Sequence, residues 1–315
     1  MYQSPDMKLW KGRVNPNPDD LLLHQIIQPL DMTHDLYTGE GTNHRALLGF
    51  ACDEGVRRNF GRTGSRKAPE WIKKVSAGLA IHFDTKEQLV YDAGTVLCPG
   101  SNLEAAQRML GEKVAHLMHQ GIQPIVLGGG HETAFGHFIG LKSFIPAHET
   151  IGIINLDAHF DLRSFEQGPH SGSPFRQIAE LDPDKFHYLP IGIRPESNIP
   201  SLFAYLQEHR QDYIGLLEVC GAMESVKQKI QSFCDQVDHV YLTIDMDCFP
   251  AAYAPGVSAS APSGMTPYQV IEIIKTVLAS NKMISADIVE VNPDYDIDDR
   301  TVKLAAELIF HLLHG

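Results

Sequence analysis

Basic residues are in short supply. The chain has 26 Lys and Arg against 39 Asp and Glu, a formal charge of −13. A phosphate-backbone binder needs clustered cations, so this balance excludes nucleic acid as the expected partner. Cysteine is also sparse. Cys52, Cys98, Cys220, Cys234 and Cys248 are odd in number and never stand as C-x-x-C, which excludes a disulfide framework and a zinc ribbon. No apolar run reaches the roughly 18 residues of a membrane span. Residues 1–43 are polar and lack the basic-then-apolar layout of an export signal, so a cytoplasmic protein is expected. What remains is an ordinary globular composition, 43% hydrophobic and 21% charged, with sixteen histidines. A surplus of acid and histidine suits hard or borderline metal ions.

From residue 46 onward, short apolar runs alternate with helical patterns. Candidate strands lie at 47–52, 89–91, 125–127, 151–156, 187–193, 240–244 and 284–291, most of them continuous Ile, Val and Leu. Such runs are typical of parallel strands covered on both faces. In 102–120, Leu103, Ala106, Met109, Leu110, Val114, Leu117 and Met118 step by three and four, and Gly121 supplies a stop. Thr266-Pro267-Tyr268-Gln269 carries an N-cap, a first-turn proline and a capping-box glutamine. Residues 301–313 form a last helix. Strand and helix alternating without a composition break predict one α/β domain over 46–315 with a mainly parallel sheet. Residues 1–45 are expected as an N-terminal extension that wraps the domain or meets a neighbouring subunit, and a homo-oligomer is possible on that basis.

Ligands of open α/β sheets bind at the carboxyl ends of the strands. Three predicted strands end in metal-ligand types: Gly128-Gly129-Gly130-His131-Glu132, Asp157-Ala158-His159-Phe160-Asp161 and Asp245-Met246-Asp247. In extended chain, residues i, i+2 and i+4 share a face, so each group converges. Two imidazoles and four carboxylates then meet in one crevice, and the carboxylates stay ionised together only beside cations. Nitrogen and oxygen donors without sulfur suit two divalent ions of the manganese kind rather than structural zinc. A D-x-D pair alone is more often a turn, and a histidine after glycines is usually structural; the joint pattern at three strand ends outweighs both. The glycine run lacks the Lys-Ser/Thr of a P-loop, and the aspartate cluster lacks the glycine and closing glutamate of an EF-hand.

These segments resemble the arginase/agmatinase (ureohydrolase) family, whose motifs are G-G-D-H, D-A-H-x-D and D-x-D. The resemblance runs from about Gly49 to the C-terminus. It implies a three-layer α/β/α sandwich around a mainly parallel sheet of about eight strands. It also implies two Mn2+ per subunit, bound by His131, Asp157, His159, Asp161, Asp245 and Asp247. Asp157 and Asp245 would bridge, His131 and Asp161 would complete one site, and His159 and Asp247 the other. Asp161 would relay a proton. Glu290, in Asp287-Ile288-Val289-Glu290-Val291-Asn292-Pro293, is similar to the glutamate that holds the substrate's N–C–N group. His170 is similar to the proton-shuttle histidine of arginases.

The departures narrow the branch. Gly130 replaces the acid of G-G-D-H, and Asp245-Met246-Asp247-Cys248-Phe249-Pro250-Ala251 lacks the third acid of D-x-D-x-x-D-P. Together with Ser171-Gly172-Ser173-Pro174-Phe175-Arg176-Gln177 and Pro255-Gly256-Val257-Ser258-Ala259, these look like the formimidoylglutamase branch, which hydrolyses N-formimidoyl-L-glutamate to L-glutamate and formamide in histidine breakdown. A small-molecule substrate with two carboxylates calls for cationic forks, and Arg163, Arg176 and Arg62 are the candidates. The alternatives are an arginase, agmatinase or guanidino-acid ureohydrolase, then a single-zinc deacetylase of similar fold or a non-catalytic binding protein.

Overall fold

The computed structural model describes residues 1–33 and 43–314. Among the described residues ten strands form one sheet: β1 (Tyr2–Gln3), β2 (Gln28–Pro29), β3 (His44–Ala51), β4 (Val90–Leu97), β5 (Ile122–Leu127), β6 (Ile151–Leu156), β7 (His187–Ile193), β8 (Ile214–Gly215), β9 (His239–Asp245) and β10 (Met283–Val289). Their order is β1-β4-β3-β5-β10-β9-β6-β7-β8, with β2 also paired to β4. Strands β3 to β10 all pair in parallel with one another, and β1 pairs antiparallel with β4. These eight are the expected sheet; β1 and β2 are short additions from the N-terminal segment.

Successive strand residues enter opposite cores. Leu47, Ile125, Leu127, Ile154 and Leu156 pack on one face with the helices Ala68–Ser76, Pro267–Ala279 and Arg300–His314. Leu48, Val126, Ile153 and Tyr241 pack on the other with Leu103–His119, Thr133–Phe144 and Pro174–Leu181. This period-2 division of fully apolar strands gives three layers, as expected. The capping box at Thr266 is present, with Gln269 Oε1 accepting from Thr266 N at 2.8 Å. Asn102 caps its helix through Ala105 N.

Among the elements that differ from the sequence expectation, three have a clear physical reason. Strand 89–91 is in fact Val90–Leu97, because polar Asp92 and Thr95 inside it hid its length. Strand 284–291 ends at Val289, since Glu290 turns to φ +64°. The helix Thr133–Phe144 was not expected: it is buried on most sides and has no single apolar stripe. It lies so close to Leu103–His119 that a Cβ on Gly140 would sit 2.5 Å from Gly111 O.

The described part of the N-terminal segment lies on the sheet edge. Trp10, Leu23 and Ile27 are in the core, and Trp10 Nε1 donates to Asp92 Oδ2 at 2.8 Å. No helix among the described residues is long and apolar enough to cross a membrane.

Candidate metal centre

Four adjacent strands in mid-sheet, β5, β10, β9 and β6, carry the site. Their registers place Leu127, Ile288, Ile244 and Leu156 in one row. Just past that row the chain changes from apolar to ligand types, so the carboxyl edge of the sheet becomes a floor of imidazoles and carboxylates.

The six expected ligand residues fall into two groups, His131 with Asp157, Asp161 and Asp245, and Asp157 with His159 and Asp247. His131 Nδ1 lies 3.2 Å from Asp157 Oδ2, 3.0 Å from Asp161 Oδ2 and 3.1 Å from Asp245 Oδ2. His159 Nδ1 lies 3.4 Å from Asp157 Oδ1 and 3.1 Å from Asp247 Oδ2. Asp157 thus gives one oxygen to each group. Asp245, expected as a second bridge, stands only in the first; its Oδ1 accepts from Asp247 N at 2.8 Å.

Donor chemistry and orphaned atoms both fit divalent cations. His131 Nε2 lies 3.0 Å from Thr243 Oγ1, which leaves Nδ1 as the nitrogen facing the carboxylates. That Nδ1 and Asp247 Oδ1 are buried without a hydrogen-bond partner. Burial pushes the Asp245 carboxyl well up, and the charges of Asp247 and Asp157 add to this. Burial followed by Asp157 raises Asp161 as well. The charge of Asp247 pushes His159 up to about 12. Protons therefore stand in for cations, as expected of a carboxylate cluster that needs positive charge.

Two non-glycine residues here adopt left-handed backbone, Asp161 at φ +48° and Glu290 at φ +64°. Such conformations cost about 1–3 kcal/mol and gather at functional sites. The buried Glu290 accepts from His131 N through Oε1 at 2.9 Å, while its Oε2 has no partner. Burial drives its carboxyl well up, assisted by Glu132. Glu132 also explains Gly130: a Cβ there would meet Glu132 Oε2 at 2.1 Å.

The pocket above the floor is lined by Asn59, Arg163, Ser171, Ser197, Ser258 and Glu290, besides ligand residues. Arg163 is exposed and its guanidinium has no partner among the described residues. The other expected groups do not line this pocket. His170 is spent on its own loop: Nδ1 accepts from Gly172 N, so Nε2 carries the proton and donates to Ser164 O. Its neighbour Ser171 lines the pocket instead. Arg176 stacks over Tyr205 and pairs with Glu180. Arg62 donates to Ser258 O and Val257 O and lies over Tyr295, so it shapes a pocket loop rather than facing a ligand. Asn59, Ser197, Asn198 and Ser258 were not expected as lining residues, although Ser258 stands in the Pro255–Ala259 segment noted from the sequence. Asn198 is now explained: it braces the metal loop through Phe160 N, Ala158 O and Arg194 O.

The Arginase family sequence model matches residues 43–315. The chain belongs to the arginase family. Among curated arginase-family proteins, it is 43% identical to the formimidoylglutamase of Geobacillus thermodenitrificans, covering 100% of this chain and 98% of that one. Among solved structures, the Bacillus subtilis formimidoylglutamase matches with a TM-score of 0.83 at 23% identity, over 96% of this chain and 94% of that one. The Trypanosoma cruzi formiminoglutamase crystallised with Mn2+ matches with a TM-score of 0.76 at 24% identity, over 88% and 95%. The three-layer architecture is thus the arginase fold.

Proposed function

We propose that this arginase-family chain is a manganese-dependent amidine hydrolase that converts N-formimidoyl-L-glutamate and water to L-glutamate and formamide. One observation carries the substrate. Every acid lining the pocket is a ligand residue or Glu290, and the remaining charge is the unpaired cation Arg163. Such a pocket accepts an amidine at its floor and carboxylates above it. The second cation of agmatine would find no acid of its own there. The 43% identity to a formimidoylglutamase agrees.

His131, Asp157, Asp161 and Asp245 would hold one Mn2+, and Asp157, His159 and Asp247 the other. When bound, such a pair neutralises the carboxylates and lowers the pKa of water, making a nucleophile available near neutral pH. Glu290 Oε2, free of other partners, accepts from the N–H groups of the amidine and fixes its carbon over the floor. Glu290 Oε1 stays on His131 N, so the substrate's orientation is tied to the ligand loop. Asp161 accepts the proton of the attacking water and passes it to the departing glutamate nitrogen as the C–N bond breaks. His170 has no part in this transfer. Arg163 grips a substrate carboxylate, and Asn59 and Ser171, joined at 3.2 Å, add neutral donors beside it.

A substrate panel tests the reading. The expected result is formamide and glutamate from formimidoylglutamate, with arginine and agmatine inert. Urea from arginine at high turnover, with formimidoylglutamate untouched, overturns it.

A further inference from the structure

Arg163 opens a loop, residues 163–172, that also carries Ser171 into the pocket. The loop is closed on itself, with Arg163 N donating to Gly172 O at 2.9 Å. Inside it, Gly168 N donates to Phe165 O and His170 Nε2 to Ser164 O. A loop stapled at its own ends and packed on itself moves as one body. Whatever fastens that body to the protein therefore fixes Arg163.

The fastening is Arg58, the last residue of the short helix Glu54–Arg58. A guanidinium has five N–H donors in a rigid fork, and here each one has an acceptor. Nε donates to Glu54 Oε1 at 3.0 Å. Nη1 donates to Glu104 Oε1 at 2.7 Å and to Pro169 O at 3.1 Å. Nη2 donates to Ser101 O at 2.9 Å and to Glu104 Oε2 at 3.2 Å. One side chain thus joins its own helix, the turn at Ser101, the helix Leu103–His119 and the pocket loop.

Among the described residues, the loop takes side-chain hydrogen bonds from beyond Ser173 at two points, and consecutive residues supply them. Arg58 holds Pro169 O, and Asn59 Nδ2 donates to Ser171 Oγ at 3.2 Å. Packing follows the same route. A Cβ on Gly172 would lie 3.0 Å from both Asn59 Nδ2 and Arg163 Cδ, so Asn59, the loop end and the Arg163 stem are in close contact. Arg58 itself does not line the pocket.

We infer that Arg58 is a positioning residue for substrate recognition: its hold on Pro169 sets the place from which Arg163 meets a substrate carboxylate. It touches neither substrate nor reacting atoms. The inference rests on the carboxylate-bearing substrate proposed above, which gives Arg163 its task.

The test compares the Mn2+-loaded full chain with Arg58→Met and Arg58→Lys. Methionine removes every donor; lysine keeps the charge but has one nitrogen in place of three. In both, KM for formimidoylglutamate should rise roughly 10-fold with kcat within about twofold of wild type, because carboxylate binding is lost and the chemistry is not. In an Arg163→Gln background, Arg58→Met should raise KM by less than about twofold more, since both changes remove one interaction. A merely structural Arg58 would lower the unfolding midpoint and leave KM alone. Amide hydrogen exchange reads the loop without any substrate: residues 163–172 should exchange at least about tenfold faster in Arg58→Met, with β6 unchanged. If Arg58→Met fails to fold, Arg58→Lys carries the same measurements. Wild-type KM in a folded variant, a full further rise in the Arg163→Gln background, or unchanged exchange of the loop overturns the anchor. A wild type inert toward formimidoylglutamate overturns the substrate reading, and the exchange measurement then decides the anchor by itself.

Discussion

Two clusters of buried charge are built on opposite plans. At the sheet edge, Lys73 Nζ gives bonds to Asp92 Oδ1 at 2.6 Å and Gly94 O at 2.9 Å, while Gly94 N and Trp10 Nε1 satisfy Asp92 further. No polar side-chain atom of that pair is left over. At the carboxyl edge, four carboxylates face two imidazoles, and His131 Nδ1, Asp247 Oδ1 and Glu290 Oε2 make no hydrogen bond. The closed cluster welds the N-terminal segment to the sheet; the open one is shaped for a guest with positive charge. The closed pair is neutral, whereas the open cluster has more carboxylates than imidazoles and leaves polar atoms unsatisfied.

Mutation should break the two clusters differently. Asp245→Ala is expected to have the largest effect on chemistry, a loss of at least about a thousandfold in kcat/KM, or about 4 kcal/mol. Bound manganese should fall with it while the fold persists; full activity in that variant would break the dinuclear account. Lys73→Met should do the reverse. It strands Asp92 in the core and should cost about 3–5 kcal/mol of stability, read from denaturant unfolding, with manganese stoichiometry unchanged.

The open cluster should also declare itself through pH. In chelated protein, the charge of Asp247 holds His159 at about 12 instead of 6.5, and burial raises Asp245 and Asp161. A histidine raised on folding stabilises below its unfolded value and loses that contribution as pH climbs toward the folded one. A raised carboxyl likewise costs stability as pH climbs. Asp157, lowered by its histidine bonds against the effect of burial, acts only in acid. The unfolding midpoint of chelated protein should therefore fall from about pH 6 to 9, and Mn2+ should flatten that slope. A slope unchanged by Mn2+ would contradict the comparison.

The smallest effects separate the arginines. Arg163→Gln should raise KM about 10–100-fold, consistent with one charge-assisted hydrogen bond of about 1.5–3 kcal/mol, and leave manganese binding alone. Arg176→Ala should change KM and stability by no more than about 0.5 kcal/mol. Equal effects from the two would remove Arg163 from substrate recognition.

How much of this was legible beforehand depended on what fixed each residue. His131, Asp157, Asp245 and Glu290 follow apolar strands whose registers are set by burial, so strand ends located them. Asp161 and His159 followed by spacing along the same loop. His170, Arg62 and Arg176 lie on loops or a helix face where proximity in sequence to a ligand says little about direction. The neutral lining groups Asn59, Ser197 and Ser258 come from three separate loops, and only the fold brings them together. The helix Thr133–Phe144 escaped because burial on most sides erases periodicity. Thr243 was the one supporting residue within reach, two positions before Asp245 and so on the same strand face.

The most direct measurement is the number of manganese ions held per chain by wild-type protein, titrated from the stripped state alongside activity on formimidoylglutamate. Two tightly bound Mn2+ per chain, with activity appearing as they load, is the predicted result. A single tight zinc, or full activity with no metal bound, would contradict it.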